Sequence, residues 1–422
     1  MTFAALQREL DERAARGLLR QRRTLETPQS PHIIVDGKPY LAFSSNDYLG
    51  LANHPQLIAA LQQGAAAWGV GAGAAHLVNG HFTPHHQLEQ ELAVFVGKPA
   101  ALLFSTGYMA NLGAVQALVG KDDTVYADKL NHASLNDAML LSRAAMQRYR
   151  HGDMAQLDSL LAKQRSGRKL VITDAVFSMD GDIAPLPELL VLCEQHDAWL
   201  LVDDAHGFGV LGEQGRGCLS YCKSPPAPLL QSGESSAAVS SLPPLSKGGR
   251  GDLAMEASQA MQNSSRIIYM ATLGKAAGVS GAFVAAEQVV IDTLLNNARS
   301  YVYTTASPPA LAVALMQSLQ FIAQGDALRT HLQRLVAMLR AGLGDLPWQL
   351  MPSDTAIQPL LVGDNKQALA LSEGLRARGI WVAAIRPPTV PQGTARLRIT
   401  LSAAHTEEDV ERLIGALHEL AC

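Results

Sequence analysis

Between residues 100 and 286 short apolar runs alternate with stretches of helical spacing, and this alternation limits the fold more than any other feature of the sequence. The runs are Ala101–Phe104, Thr124–Ala127, Met146–Tyr149, Leu170–Thr173, Trp199–Val202, Ile267–Ala271 and Ala282–Ala285. Between two of them, Leu186–His196 carries Leu186, Leu189, Leu190 and Cys193 at helical spacing. Strand–helix–strand units of this size predict an α/β chain with a parallel or mostly parallel central sheet, because parallel neighbours need a long crossover. Ligands of such sheets gather at the carboxyl ends of the strands. The residues that follow each run therefore matter more than the run itself.

The flanks read differently. Leu6, Leu10, Leu18 and Leu19 among many charges predict a helix over residues 1–23, and the apolar residues around Asp36-Gly37 predict a small hairpin over His32–Phe43. One helix is predicted from Pro308 to Ala323 and another over Glu407–Leu420, with Thr406 as its N-cap. The expected organisation is an N-terminal arm over 1–48, a large domain over 49–305 and a smaller α/β domain over 306–422. Residues 224–251 are dense in Pro, Ser and Gly and hold no aromatic residue, so a flexible loop inserted at about 223–252 is expected.

Composition removes whole classes of function. The 422 residues are 48% apolar and 17% charged, which excludes a disordered chain. A net charge of −4 argues against binding to nucleic acid or to a membrane surface. The start MTFAALQREL is charged by residue 8, and the least charged stretch, 300–324, contains Pro308, Pro309, Gln317 and Gln320. Neither a leader nor a membrane span is expected. Cys193, Cys218, Cys222 and Cys422 are too few for a disulfide framework, which fits the cytoplasm. Cys218 and Cys222 lack a second close pair, so no metal is expected.

The strand ends carry the chemistry. Ser105-Thr106-Gly107-Tyr108 follows the first run with small residues and then a helix, which presents free backbone N–H groups to an anion. His132 lies just after the second run, where it can stack on a ring or titrate near neutral pH. Asp174, Asp180 and Asp182 follow the fourth run, as metal ligands or as a solvated turn. Asp203, Asp204 and His206 follow the fifth, and a carboxylate buried there needs a cation or a donor, such as a protonated pyridine nitrogen. Gly207, Gly209 and Gly212 match a dinucleotide fingerprint in spacing, but the first glycine does not directly follow the strand. Thr272-Leu273-Gly274-Lys275 follows the sixth run. A lysine desolvated there has a lowered pKa, which makes it reactive towards an aldehyde. A phosphate-loop lysine would need glycine at position 269, which is Tyr269. An anion-binding helix start, a stacking histidine, a strand-end Asp with His three residues on, and a Thr-x-x-Lys together meet the needs of pyridoxal 5′-phosphate.

The order STGYMAN, NHAS, TDAVFSMDGD, VDDAHG and TLGKA resembles the α-oxoamine synthases, a group within the fold-type I pyridoxal-phosphate enzymes. The likeness spans nearly the whole chain outside residues 220–262. It implies a fold-type I transferase, with a large domain around a mostly parallel sheet and a smaller C-terminal α/β domain. It implies that Lys275 bonds the cofactor aldehyde, that Asp203 rather than its neighbour Asp204 pairs with the pyridine nitrogen, and that His206 contacts the ring hydroxyl. By the same likeness His132 stacks on the ring, Gly107 and Tyr108 hold phosphate and ring, and Ser178 and Thr272 add hydrogen bonds. Arg20, Arg386 and Thr389 match positions that face substrate, and Asn46 is a further active-site candidate. SSNDYLGL and AIRPPTVPQGTARLRITL resemble the members that condense L-alanine with a pimeloyl thioester, carried on CoA or on an acyl carrier protein, in biotin biosynthesis. The rival expectation is a member using glycine with acetyl-CoA or succinyl-CoA. A homodimer is expected because Tyr303–Ser307 matches a segment that reaches the partner's phosphate site in such enzymes.

Overall fold

A computed structural model describes every residue except 1, 2, 17, 21, 165, 222–249 and 422, and only the backbone of 250–255. The expected inserted loop therefore lies almost entirely outside the described residues, as do Cys222 and Cys422. The helix Arg250–Asn263 begins two residues before that loop's expected end.

Seven strands form the central sheet: β3 (Ala100–Phe104), β4 (Thr124–Asp128), β5 (Ala145–Tyr149), β6 (Lys169–Asp174), β7 (Trp199–Asp203), β8 (Ile267–Thr272) and β9 (Ala282–Ala286). They are the seven apolar runs, in the order β3-β9-β8-β7-β6-β4-β5. The pairs β5–β4, β4–β6, β6–β7 and β7–β8 are parallel, and β9 runs antiparallel to both β8 and β3. Strand alternation divides each run between two cores. Leu170, Ile172, Leu201, Ile268 and Met270 face one layer, while Val171, Leu200, Val202, Tyr269 and Ala271 face the other. Burial on both faces explains why these strands read as continuous apolar runs.

Register then places the chemistry. Asp174 lies opposite Asp203, and Asp203 lies opposite Met270, two residues before the end of β8 at Thr272. Two helices start beside these ends, α4 (Gly107–Leu118) after β3 and α5 (Ala133–Ser142) after β4. Both pack in the layer formed with Leu102, Val125 and Leu201.

The N-terminal helix α1 is shorter than the sequence predicts. It spans Ala4–Ala15 and buries no residue. Arg16 N–H donates to Glu12 O at 3.1 Å at its end, just before Gly17, a poor helix former, so Leu18 and Leu19 do not extend the stripe of Leu6 and Leu10. The hairpin forms as β1 (His32–Val35) and β2 (Lys38–Ala42), with Asp36 and Gly37 at φ +48° and +72° in its two-residue turn. Strand Ile380–Trp381 adds in parallel to β2. A second, four-stranded antiparallel sheet comprises Gln349–Leu350, Ile357–Gly363, Ala395–Thr400 and Ala383–Ile385. Thr400 N–H donates to Phe43 O at 2.9 Å and Ser402 Oγ to Asp47 O at 2.6 Å, so residues 43–47 lie against this sheet. The two late helices occupy Pro309–Ala323 and Glu407–Ala421. Thr406 Oγ1 accepts from Asp409 N–H at 3.1 Å while Asp409 Oδ2 accepts from Thr406 N–H at 2.9 Å, a reciprocal cap. No helix among the described residues is long and apolar enough to cross a membrane.

Candidate active site

Strand alternation separates the two neighbouring aspartates. Asp203, 4% exposed, accepts from Asn111 Nδ2 at 2.7 Å and from Ala205 N–H at 3.0 Å. Asn111 lies one turn into α4, and its Nδ2 also donates to Ser134 Oγ at 2.9 Å. Asp204 turns the other way and is fully buried. Its Oδ2 accepts from Cys218 N–H at 2.7 Å and Tyr269 Oη at 2.8 Å. Burial raises its carboxyl to about 6, against the pull of the Cys218 and Tyr269 donors. Gly207, first of the three spaced glycines, packs on this carboxylate: a Cβ there would lie 2.2 Å from Asp204 Oδ1. Gly209 and Gly212 pack elsewhere, against Ala276 and against Ser220 and Gly217, so all three glycines serve close packing.

Lys275 follows β8, and its Nζ lies 3.0 Å from His206 Nε2. His206 Nδ1 lies 2.6 Å from Tyr48 Oη, Tyr48 Oη lies 3.3 Å from Asn46 Oδ1, and Arg398 donates to Asn46 Oδ1 at 3.2 Å from both terminal nitrogens. Burial and the nearby Lys275 and Arg398 charges hold His206 well below its ordinary pKa, so its ring is neutral. Burial raises Tyr48 to about 12, so its hydroxyl keeps its proton. One assignment then satisfies the chain: Lys275 donates to Nε2, Nδ1–H donates to Tyr48, and Tyr48 donates to Asn46. Arg398 also donates to Ser178 O at 2.6 Å, which ties Ser178 into the same network.

Electrostatics sets the lysine. Burial lowers Lys275 to about 8, opposed chiefly by Asp203 and then Asp174. Asp174 is 5% exposed, and burial and its neighbour Asp203 raise its carboxyl well above the ordinary range. It accepts from His132 N–H at 2.6 Å, and His132 caps α5, its Nδ1 accepting from Ser134 N–H at 3.3 Å. The His132 side chain remains exposed beside these strand ends. Desolvation by the surrounding protein lowers its pKa, against the pull of Asp203.

At the start of α4, Thr106 caps the helix through Oγ1, which accepts from Met109 N–H at 3.1 Å. A Cβ on Gly107 would lie 2.5 Å from Thr272 Cγ2, so α4 and the end of β8 meet where only glycine fits. Thr272 Oγ1 donates to Ala205 O at 3.3 Å, which closes this group onto the β7 end. Tyr108 is 43% exposed and its hydroxyl donates to Asp137 Oδ2.

The predicted residues thus fall in three sets. Contacts described above join Gly107, Thr272 and Asp203 in one group and Lys275, His206, Asn46 and Ser178 in another, the charge of Asp203 acts on Lys275, and His132 and Tyr108 flank them. Arg386 and Thr389 bracket a turn before strand Ala395–Thr400, Thr389 N–H donating to Arg386 O at 3.0 Å; Arg386 is partly buried and Thr389 exposed. Arg20 is exposed and, among the described residues, has no hydrogen bond to the rest. The three carboxylates at the end of β6 and beyond it do not converge. Asp180 pairs with Arg396 at 2.6 Å, Asp182 with His151 at 2.8 Å, and Asp174 faces His132. Tyr48, Asn111, Ser134 and Arg398 belong to the network without having been singled out in the sequence, although they lie inside SSNDYLGL, STGYMAN, NHAS and TARLRITL.

Residues 38–417 match the model of the aminotransferase class I and II family. The chain is 57% identical over 419 residues to the 8-amino-7-oxononanoate synthase of Nitrosospira multiformis, covering 99% of this chain and 96% of that one. Among solved structures, a variant serine palmitoyltransferase of S. paucimobilis with a bound PLP–myriocin aldimine superposes with a TM-score of 0.84 at 28% identity, over 99% of this chain and 96% of that one. The 8-amino-7-oxononanoate synthase of Francisella tularensis superposes with a TM-score of 0.71 at 27% identity, over 90% and 97%.

Proposed function

The chain belongs to the class I and II aminotransferase family and, within it, to the 8-amino-7-oxononanoate synthases, and we propose from that premise that it condenses L-alanine with a pimeloyl thioester. The reaction forms a bond from the alanine α-carbon to the thioester carbonyl, expels the thiol carrier and CO2, and leaves 8-amino-7-oxononanoate for biotin biosynthesis. One observation carries the reading: an amine lowered to about 8 sits against a neutral imidazole, beside two buried strand-end carboxylates.

The residues fit pyridoxal phosphate, the cofactor of this family. Gly107 leaves no side chain between the α4 start and Thr272, and a helix start favours a phosphate. Asp203 is buried with two neutral donors and gains a cation in a protonated pyridine. When bound, the cofactor supplies an aldehyde for the amino group and a ring that delocalises charge from the α-carbon. Asp203, oriented by Asn111, holds a proton at the ring nitrogen. Lys275 Nζ takes the proton from the alanine α-carbon and returns one after CO2 has left. His206 positions that amine, and His132 covers the ring face. Tyr108 and Ser178 complete the cofactor set. Arg386 grips the carboxylate of the amino acid, and Thr389 and Arg20 face substrate.

The amino-acid choice has a direct test. The loaded enzyme in D2O exchanges the α-proton of L-alanine without any acyl donor. Faster exchange with glycine or L-serine would transfer the reading to another α-oxoamine synthase, such as glycine C-acetyltransferase, 5-aminolevulinate synthase or the serine palmitoyltransferase type. The lysine makes a second prediction. Only the free amine attacks an aldehyde, so with Lys275 near 8 the apoenzyme loads with cofactor about tenfold faster at pH 9 than at pH 7, then levels off. A rate independent of pH over that span would contradict the environment described for Lys275.

The active form on this reading is a cytoplasmic homodimer. Only four cysteines in 422 residues fit a reducing compartment. Leu77, Val78 and Tyr303 are 51%, 78% and 73% exposed, and Ala306 N–H donates to Ala74 O at 2.9 Å, so the two segments form one apolar surface. Sedimentation should give a dimer, and Val78→Asp should shift it towards monomer with loss of activity. An active wild-type monomer at assay concentration would refute the dimer.

A further inference from the structure

His151, just after β5, holds its ring between two carboxylates. Nδ1–H donates to Asp128 Oδ1 at 3.1 Å, and Nε2–H donates to Asp182 Oδ2 at 2.8 Å. A carboxylate only accepts, so both ring nitrogens carry protons and the ring is a cation. The hydrogen bonds to Asp128 and Asp182 raise it to about 10, against burial. Asp128 ends β4 and is 2% exposed, and it also accepts from Leu130 N–H at 2.8 Å and Gly152 N–H at 3.0 Å. It is a fixed anchor. Asp182 is tied less firmly: its Oδ1 is buried with no hydrogen-bond partner among the described residues, so the bond from His151 is what holds the carboxylate.

Asp182 closes a tight turn that reaches the active site. Phe177 N–H donates to Asp182 O at 3.0 Å, Gly181 N–H donates to Phe177 O at 2.7 Å, and Val176 bridges Ile183 in antiparallel pairing. The His151 ring meets Phe177 edge to face at 4.4 Å. The second sheet grips the other side of the turn. Gly181 O accepts from Ser353 Oγ at 2.8 Å and Thr355 Oγ1 at 3.1 Å, while Arg396 donates to Asp180 Oδ1 at 2.6 Å and to Met179 O at 3.1 Å. Gly181 has φ +75°, and a Cβ there would lie 2.5 Å from Ile357 O, so only glycine allows this approach. Ser178 lies between the two grips, and its carbonyl accepts from Arg398 Nε at 2.6 Å. Arg398 then leads through Asn46 and Tyr48 to His206 and Lys275.

We propose that His151 is a positioning residue for the reaction: by bridging Asp128 and Asp182 it ties the 177–182 turn to the end of β4, and so holds Ser178 and Arg398 where they orient the Lys275 amine. The inference rests on the cofactor reading above. His151 touches neither substrate nor cofactor and acts through the turn. Two charge-assisted hydrogen bonds on one rigid ring suit that task, because they fix distance and direction together. Arg398 also acts by charge. Besides burial it is Arg398 that lowers Lys275, against Asp203, Asp174 and Asp204, so a turn that lets Arg398 drift raises the lysine.

Asp182→Ala in the pyridoxal-phosphate-loaded enzyme is the primary test, because it cuts the tie to the turn and leaves the buried His151–Asp128 pair intact. Turnover with L-alanine and the pimeloyl thioester falls about 10–100-fold per folded molecule, the cost of a small misplacement at the reacting groups, with KM for L-alanine little changed. The visible band of lysine-bound pyridoxal titrates with its midpoint about half a pH unit higher. Asp182→Asn keeps an acceptor for Nε2–H and recovers turnover to within about threefold of native. His151→Ala gives the same loss of turnover and also lowers the melting temperature, since Asp128 loses its cation. The double variant His151→Ala, Asp182→Ala turns over no more slowly than His151→Ala alone, because both cut one link. Asp158→Ala, which breaks the separate pair of Asp158 with His196, leaves turnover and band as in the native protein. Native turnover and an unshifted band in Asp182→Ala would overturn the proposal, even with a lowered melting temperature. So would additive losses in the double variant, or an equal loss from Asp158→Ala. A native protein that shows no such band would overturn the cofactor reading and this inference with it.

Discussion

Lys275→Ala leaves no turnover and no borohydride-reducible link between protein and pyridoxal phosphate. The substitution removes the amine that bonds the aldehyde and the group that carries the α-proton. General acid–base catalysis alone is worth about 10²–10⁴-fold, and losing the covalent link adds to that. The protein itself should stay folded, because Nζ contributes one hydrogen bond, to His206, and its removal also removes a desolvated charge. The contacts of Gly107, Thr272 and Asp203 survive, so cofactor still binds without a covalent link. Absorption spectra before and after borohydride, together with turnover assays, give both readouts. An active Lys275→Ala enzyme, or one that keeps the visible band of lysine-bound pyridoxal, would sink the assignment.

Asp203→Asn and Asp204→Asn should separate cleanly. Asparagine at 203 keeps an oxygen for Asn111 or Ala205 but loses the charge that keeps the ring nitrogen protonated. Losing one such charge-assisted interaction in a dry site costs roughly 2–4 kcal/mol of transition-state stabilisation, a rate factor of about 30–1,000. Cofactor stays attached through Lys275, so the loss appears in turnover. Asparagine at 204 acts elsewhere: it weakens the acceptor for Cys218 N–H and Tyr269 Oη and loosens the chain at Gly217-Cys218. Its effect belongs in the melting temperature, with turnover per folded molecule little changed. A larger turnover loss from Asp204→Asn than from Asp203→Asn would reverse the two roles.

These two aspartates also show where the sequence stopped being informative. The strands were legible because burial on both faces makes each a short continuous apolar run, and the topology made their carboxyl ends the place to look. Gly107, Asp203, His206, Thr272 and Lys275 all follow directly from that rule. Alternation puts Asp203 and Asp204 on opposite faces, but only the packing of Gly207, Cys218 and Tyr269 shows which face each takes. Tyr48 and Arg398 were beyond reach because they meet His206 and Asn46 across 158 and 352 residues of chain, and no local period encodes such contacts. Asn111 was visible in its motif without a role, because its partner Asp203 lies 92 residues away. The overlong α1 came from the opposite error, reading leucines 18 and 19 as a continuing stripe when no partner face covers any part of that helix.

Supplying the cofactor-loaded protein with L-alanine and a pimeloyl thioester, on CoA and on acyl carrier protein in parallel, and identifying the product by mass tests the function most directly. The account predicts 8-amino-7-oxononanoate with one CO2 and one free thiol per product from at least one of the two donors, and none from Lys275→Ala. Condensation only with glycine and a short acyl-CoA, or with serine and a long one, would contradict it.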